Sequence, residues 1–389
     1  MFKGFSRASL SPPRVAIIGA GIIGLSIAFE LVFRRGTRVT LFDTRPCGRG
    51  ASWAAAGMIA PAFEAAAEAG VHPRLFDLCL ESADLWPEFS ADIERLSGLP
   101  SGFEPAPALA VAMDAGEAAH LAAISDVLTT RGVAHRKLDA GELARLEPSL
   151  SGDVLGGLEL ETDTRVDNRR TVTALLAALQ ANPRASFVEG PAPLKARDGR
   201  IVLDGYDAVI VAAGWETATI KVDEAGSLRS LVNWDVALDD IDCFGGQMLS
   251  VAAVPGAPAR VVRSGHVYLV PRGGQVVIGA TMEPGRAIDT PEDEIIATLK
   301  AEGAKLCPAL AQAPVTESWA GIRPGTPDHA PFIGPTAAPG LLVAAGHYRN
   351  GILLAPVTAK MIADRLMGEA VSELATAFTT GRDYAVAGT

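Results

Sequence analysis

The chain has 389 residues, 49% of them hydrophobic and 20% charged, which suits a globular protein of about two domains and excludes a disordered one. A formal charge of -11 leaves no basic footprint of the kind nucleic-acid binders carry, so no nucleic-acid partner is expected. Cys47, Cys79, Cys243 and Cys307 form no C-x-x-C pair and have no His at zinc-ligand spacing, so no metal and a reduced, cytoplasmic setting are expected.

In chain order, residues 15–18 (VAII) read as a buried parallel strand, and the run Gly19 to Gly24 as a tight turn. Residues 22–35 read as a helix stopped by Gly36, and 38–42 as a second strand ending at Asp43. The stretch 15–33 is apolar enough to resemble a signal anchor behind Lys3, Arg7 and Arg14. The spaced glycines and Glu30 argue against stable membrane insertion. Residues 75–96 read as a helix that Pro87 should kink or break. A small αβ insert is expected over 106–150, and a helix over 168–180 capped by Asp167. A further buried strand covers 206–212, closed by Ala213 and Gly214. From 245 to 282 short strands alternate with Gly and Pro turns, the pattern of an antiparallel sheet. A helix is expected over 291–306, a strand over 341–344 and a helix over 352–366. Parallel βα pieces at both ends with an antiparallel sheet between them give a mixed class, α/β plus α+β, in two interleaved domains.

Gly19-Ala-Gly21-Ile22-Ile23-Gly24 fits the G-x-G-x-x-G loop that turns a strand into a helix against a pyrophosphate, with free N–H groups and a positive dipole end facing the anion. Asp43, at the end of the second strand, stands where a carboxylate accepts hydrogen bonds from a ribose, and it would repel a 2′-phosphate. This much does not separate FAD from NAD.

The stretch Ala51-Ser-Trp-Ala-Ala-Ala-Gly-Met58 resembles the flavin loop of the glycine oxidase and D-amino-acid oxidase family. Residues 320–328 (AGIRPGTPD) and 346–356 (GHYRNGILLAP) look specifically like the thiamine-pathway glycine oxidases, and 248–250, 267–271 and 278–282 are similar as well. The resemblance covers most of 15–60 and 245–370. It implies non-covalent FAD in a Rossmann-like domain over 1–88, 150–216 and 318–389, with an antiparallel-sheet substrate domain over 89–149 and 217–317. By motif, the implied cofactor contacts are Gly19, Gly21, Ile22, Ile23 and Gly24, then Asp43 and Thr44, then Ala51, Ser52, Ala56, Gly57 and Met58. Ala192, Gly214, His347, Tyr348, Arg349, Asn350, Gly351, Ile352 and Leu353 complete the set. The family also implies a homo-oligomer, a tetramer. Residues 215–245 depart from the family, with Asp235, Asp239, Asp240 and Asp242, and with Phe244 and Gly245 where a basic residue is usual.

The implied activity is oxidative deamination of glycine or another small amino acid. Hydride would pass from Cα to the flavin, the imine would be hydrolysed, and O2 would be reduced to H2O2, in support of thiazole synthesis for thiamine. A D-amino-acid or sarcosine-type oxidase or dehydrogenase with another acceptor is the alternative, and a non-catalytic FAD-binding protein a third. The chemistry asks the protein for positioning and electrostatics rather than a nucleophile. A bidentate Arg is the natural carboxylate clamp. Arg323, read as held in a Gly/Pro-rich loop, is the first candidate and Arg349 the second. Tyr268 can donate its hydroxyl to the same carboxylate, or be a core tyrosine. His266, expected on the same strand face, and Met282 line the pocket or are ordinary surface and filler residues. A helix starting near Gly351 is a candidate for stabilising negative charge on reduced flavin, and His347 is either a second contributor or merely a loop residue. Cys307 lies outside the register for covalent attachment.

Overall fold

The computed structural model describes residues 12–67 and 72–383; Lys3 and Arg7, and the outermost parts of the first and last expected domain segments, lie outside them. One sheet has six strands in the order Phe332–Pro335, Leu341–Ala345, Ala208–Val211, Arg14–Ile18, Arg38–Asp43, Ala185–Glu189. All neighbours are parallel except the first pair. Val15, Ala16 and Ile17 are fully buried because both faces of this sheet are covered, which is why the strand reads as an unbroken apolar run. The chain leaves Arg14–Ile18 toward Arg38–Asp43 on one side and later returns as Ala208–Val211 on the other. Such a reversal opens a crevice at the strands' carboxyl ends.

A nine-stranded sheet contains Ala108–Ala112, His135–Asp139, Gly156–Leu160, Asp242–Ala252, Tyr268–Arg272 and Gln275–Gly279, and Val315–Gly325 pairs along the full length of Asp242–Ala252. Most of its pairings are antiparallel, as the alternating short strands implied. Sheet membership cuts across the expected segment limits. Gly156–Leu160 belongs to this larger sheet, and Val315–Gly325 runs through position 318. The hairpin of Lys221–Glu224 and Ser227–Ser230 joins a separate four-stranded sheet.

Local chemistry sets the element ends. Asp167 caps the helix Asn168–Gln180 by accepting from Arg169 N–H and Arg170 N–H, as expected. The helix Leu75–Ser97, by contrast, runs unbroken through Pro87. Pro87 sits on its exposed face, so the missing backbone bond falls on the side open to water, while Trp86 and Phe89 on either side are buried. The helix Ala355–Met367 begins after a turn at Tyr348–Asn350, later than expected.

Within the acid-rich departure, Asp235 has a structural role. Asp235 is buried, and its carboxylate accepts from Ala337 N–H (2.8 Å) and the Thr380 hydroxyl (2.7 Å), tying the segment to the end of the chain.

Candidate active site

A cavity of about 990 Å³ runs from the glycine turn to the nine-stranded sheet. At the first end, Gly19 has φ +107°, and a Cβ there would lie 2.3 Å from the Ala212 carbonyl oxygen, so only glycine makes this turn. A Cβ on Gly24 would come within 1.9 Å of the Gly19 carbonyl oxygen, which lets helix and strand touch. Ile22 N–H donates to Ser52 Oγ (2.8 Å), and Ala20 N–H donates to Asp43 Oδ2 (2.7 Å). The Asp43 carboxylate also accepts from Arg45 N–H and keeps lone pairs for a hydroxyl ligand. Ala51, Ser52, Ala54, Ala55 and Ala56 form a wall of small side chains flanked by Trp53 and Met58, and Ala192 and Lys195 close this end. Lys221, Asp223 and Leu228 line it too, so the divergent hairpin, which no motif marked, is part of the cavity wall.

Of the residues expected at the cofactor, all but Gly24, Asn350 and Leu353 line the cavity. Gly24 packs helix on strand. Asn350 is buried, and the Leu353 carbonyl turns inward to accept from Ser82 Oγ (2.6 Å) and Trp86 Nε1 (2.9 Å). Two electrostatic expectations are corrected. Ala355, the first residue of the helix Ala355–Met367, is fully buried and does not line the cavity, so that helix end is not the lining; Gly351 and Ile352 are. Burial pushes the His347 imidazole down to about 3, and its Nε2 is bonded to the Thr358 hydroxyl, so it is neutral and brings no positive charge. Cys307 is fully buried, with its thiol against the Gly256 carbonyl, and no cysteine lines the cavity.

At the other end the five expected substrate residues all line the cavity, in unequal ways. Arg323 lies not in a loop but in the strand Val315–Gly325, opposite Phe244. Its neighbours read as turn residues for another reason. Pro324 stands next to the strand's end, and a Cβ on Gly325 would strike the Phe244 ring at 2.5 Å, so glycine is there for close approach. Arg323 Nη1 donates to the carbonyls of Gly245 (3.1 Å) and Thr281 (3.3 Å) and has no carboxylate partner among the described residues. Tyr268 faces the same space. Burial pushes its phenol above the usual range, against the opposing pull of Arg323, Arg349 and Arg263, so the hydroxyl keeps its proton. Met282 Sδ touches both the Tyr348 hydroxyl (3.3 Å) and Arg323 Nη1 (3.9 Å). His266 is not on the strand with Tyr268, which begins two residues later. Its side chain is 66% exposed at the cavity mouth, 3.7 Å from Glu117.

Arg349 is not held ready for a substrate alone: its Nη2 lies 2.9 Å from Glu64. Glu64, on the helix Pro61–Ala67, also binds Arg263 Nη2 at 2.7 Å. Burial pushes this carboxyl up, but Arg263, Arg349 and Arg323 outweigh it and hold it below the usual carboxylate range. Neither Glu64 nor Arg263 was expected from the sequence. Arg263 stands directly across from Tyr268 in the hairpin that Ser264 to Val267 closes, and drawing that hairpin would have found it. Glu64 sits in an alanine-rich stretch and carries no motif.

Residues 14–365 match the family model described as DAO, FAD dependent oxidoreductase, and the chain belongs to that family. The bifunctional protein ThiO/ThiG of Synechocystis sp. is 33% identical over 95% of this chain and 54% of its own length, so the chain spans about half the length of the first such relatives it matches. The glycine oxidase of Geobacillus kaustophilus is 32% identical over 90% of this chain and 92% of its own. The crystal structure of glycine oxidase from that organism aligns with TM-score 0.84 at 30% identity, over 96% of this chain and 100% of that one. An iminodiacetate oxidase from Chelativorans sp. BNC1 aligns with TM-score 0.79 at 26% identity, over 94% and 98%.

The residues present fit FAD. The glycine turn leaves no room for a Cβ, the start of the helix Ile22–Phe29 opens on the cavity, Asp43 keeps acceptor capacity, and the small-residue wall admits a flat ring. The fold, the mixed α/β class and the FAD dependence expected from the sequence therefore stand. No helix among the described residues is long and apolar enough to cross a membrane.

Proposed function

We propose that this protein oxidises the carbon–nitrogen bond of glycine or a similarly small amino acid, as a glycine oxidase does. The observation that carries the reading is Arg323, a guanidinium lining the cavity with Tyr268 and with no carboxylate partner among the described residues. FAD, when bound, supplies a two-electron acceptor that O2 reoxidises.

Every other task falls to side chains. Arg323 takes the substrate carboxylate through two parallel N–H donors, and Tyr268, kept protonated, adds a third. That fixes the amino acid's orientation, which is the main thing this chemistry requires of the protein. Tyr348 and Met282, in contact with each other, narrow the space beside Arg323 and favour a small side chain. Neither Tyr268 nor Glu64 serves as a general base near neutrality. Tyr268 is raised and Glu64 is lowered and ion-paired, so the substrate ammonium gives up its proton to water before oxidation. For glycine the balance is glycine plus O2 plus water to glyoxylate, ammonia and H2O2.

The same reading places the imine product in support of thiazole synthesis for thiamine, on the likeness to the ThiO/ThiG relatives, and gives non-covalent FAD and a homo-oligomer by resemblance. Four free thiols suit a reducing compartment, the cytoplasm. The test is peroxide release from FAD-loaded protein with glycine, sarcosine, D-alanine and D-proline. Glycine or sarcosine is expected to lead in kcat/KM. A tenfold or greater preference for D-proline overturns the small-substrate reading.

A further inference from the structure

The divergent hairpin is the part of the nucleotide end that no cofactor motif marks. Its strands, Lys221–Glu224 and Ser227–Ser230, extend the sheet that Arg200–Val202 and Leu194–Arg197 begin. Register decides which way its side chains face. Lys195 stands opposite Asp223, and Asp223 opposite Leu228, so the three share one face of the sheet. Lys221, two residues before Asp223, shares that face as well. All four line the cavity. Val222, between Lys221 and Asp223, points the other way and is fully buried in a cluster with Leu194, Ile201 and Val209. The hairpin is rooted in the core by one face and turned to the cavity by the other.

Its shape is fixed before any ligand arrives. Ala225 and Gly226 both have positive φ (+53° and +88°), the two-residue turn whose twist matches that of the flanking strands. The Asp223 carboxylate accepts from Gly226 N–H (2.7 Å), and Arg229 pairs with Glu224 (3.1 Å). Two side chains on the cavity face have no task in this scaffold. Leu228 is 73% exposed, an apolar group held against a ligand cavity. Lys221 is exposed with no carboxylate partner among the described residues, whereas Lys195 beside it is paired with Asp204 (2.7 Å).

Position along the cavity selects what they meet. FAD is a linear molecule, with its flavin at one end, its adenosine at the other and a pyrophosphate between. Arg323 and Tyr268 mark the end where the flavin must lie, and the glycine turn and Asp43 mark the middle. Adenosine then falls at the end that Ala192, Lys195 and the hairpin close.

We propose that the hairpin is a clamp on the adenosine half of FAD, in which Leu228 covers the apolar face of the adenine and Lys221 answers the negative charge of the phosphates. The clamp concerns retention of the cofactor and is independent of which amino acid is oxidised.

The test uses the full-length protein stripped of flavin, titrated with FAD, FMN and ADP and followed by protein fluorescence. FMN carries the flavin without adenosine, and ADP carries the adenosine without flavin. L228S is expected to weaken FAD and ADP at least tenfold, about 1.4 kcal/mol, which burial of part of a leucine side chain supplies. It should change FMN less than twofold. K221Q is expected to weaken FAD and ADP by roughly threefold, as loss of one exposed ion pair does, and to flatten the fall of FAD affinity with salt. Both positions are exposed, and the Tm of the flavin-free variants reports folding independently.

An L228S variant that binds FAD as the parent does overturns the clamp. So does one that loses FAD and FMN alike, because the hairpin then serves the fold, or one that loses FAD but keeps ADP. A K221Q variant with unchanged affinity and salt dependence strikes Lys221 from it.

Discussion

The two ends of the cavity are built by different means. The nucleotide end is made of backbone: a glycine turn, the start of a helix and a wall of alanines within some forty residues of chain. The substrate end is made of long charged side chains that four distant segments bring together, Glu64, Arg263, Arg323 and Arg349. Backbone sites tolerate no added atom and titrate little. Charge clusters tolerate shape changes but respond to pH and to the loss of one partner. The comparison teaches where each kind of perturbation should bite.

The largest contrast is in pH. Asp163, next to the charged end, is raised from 3.8 to about 7 by burial. The unfolded chain therefore loses this proton near pH 4 while the folded protein keeps it until about 7. Stability attributable to Asp163 must fall as pH rises through that window, by up to roughly 1.4 kcal/mol per pH unit. Glu64 has its folded value below 4.5, so its contribution is complete above that and leaves pH 5–7 clear. Asp163→Asn should flatten the slope in Tm between pH 5 and 7; an unchanged slope would assign it to other groups.

At the backbone end, Gly19→Ala should lose about 2–3 kcal/mol through the positive φ and the clash with the Ala212 carbonyl, and should be isolated with little flavin. A fully flavinated, equally stable Gly19→Ala protein would break the contrast. Tyr268→Phe removes one donor at the charged end and nothing else, so kcat/KM should drop by roughly tenfold, about 1.4 kcal/mol, with flavin content unchanged. The smallest effect is expected from Ser52→Ala, which leaves Ile22 N–H without its acceptor: about 1 kcal/mol of stability by chemical denaturation.

The same division decides what the sequence made legible. The glycine turn, Asp43 and the Asp167 cap are read over a few residues because their chemistry is local, and the structure places them where that chemistry needs them. The pocket positions of Arg323 and Tyr268 were also legible, through the resemblance rather than through any pattern of their own. Arg323 was misread as a loop residue because Pro324 and Gly325 look like a turn. Only the long pairing with Asp242–Ala252 shows them to be strand residues near an aromatic ring. Pro87 misled in the same way, since local propensity does not say which face of a helix meets water. Glu64 and Arg263 meet across 199 residues of sequence, and a single chain offers no short-range sign of that pair.

The account turns on Arg323 as the anchor of a substrate carboxylate beside a bound flavin. The direct measurement is an anaerobic titration of the FAD-loaded protein and its Arg323→Ala variant with the best substrate of the panel above, following flavin absorbance. Bleaching is expected in the parent protein. The variant should hold its flavin but bleach at least a hundredfold less efficiently, about 3 kcal/mol. Equal bleaching in the two proteins would contradict the account.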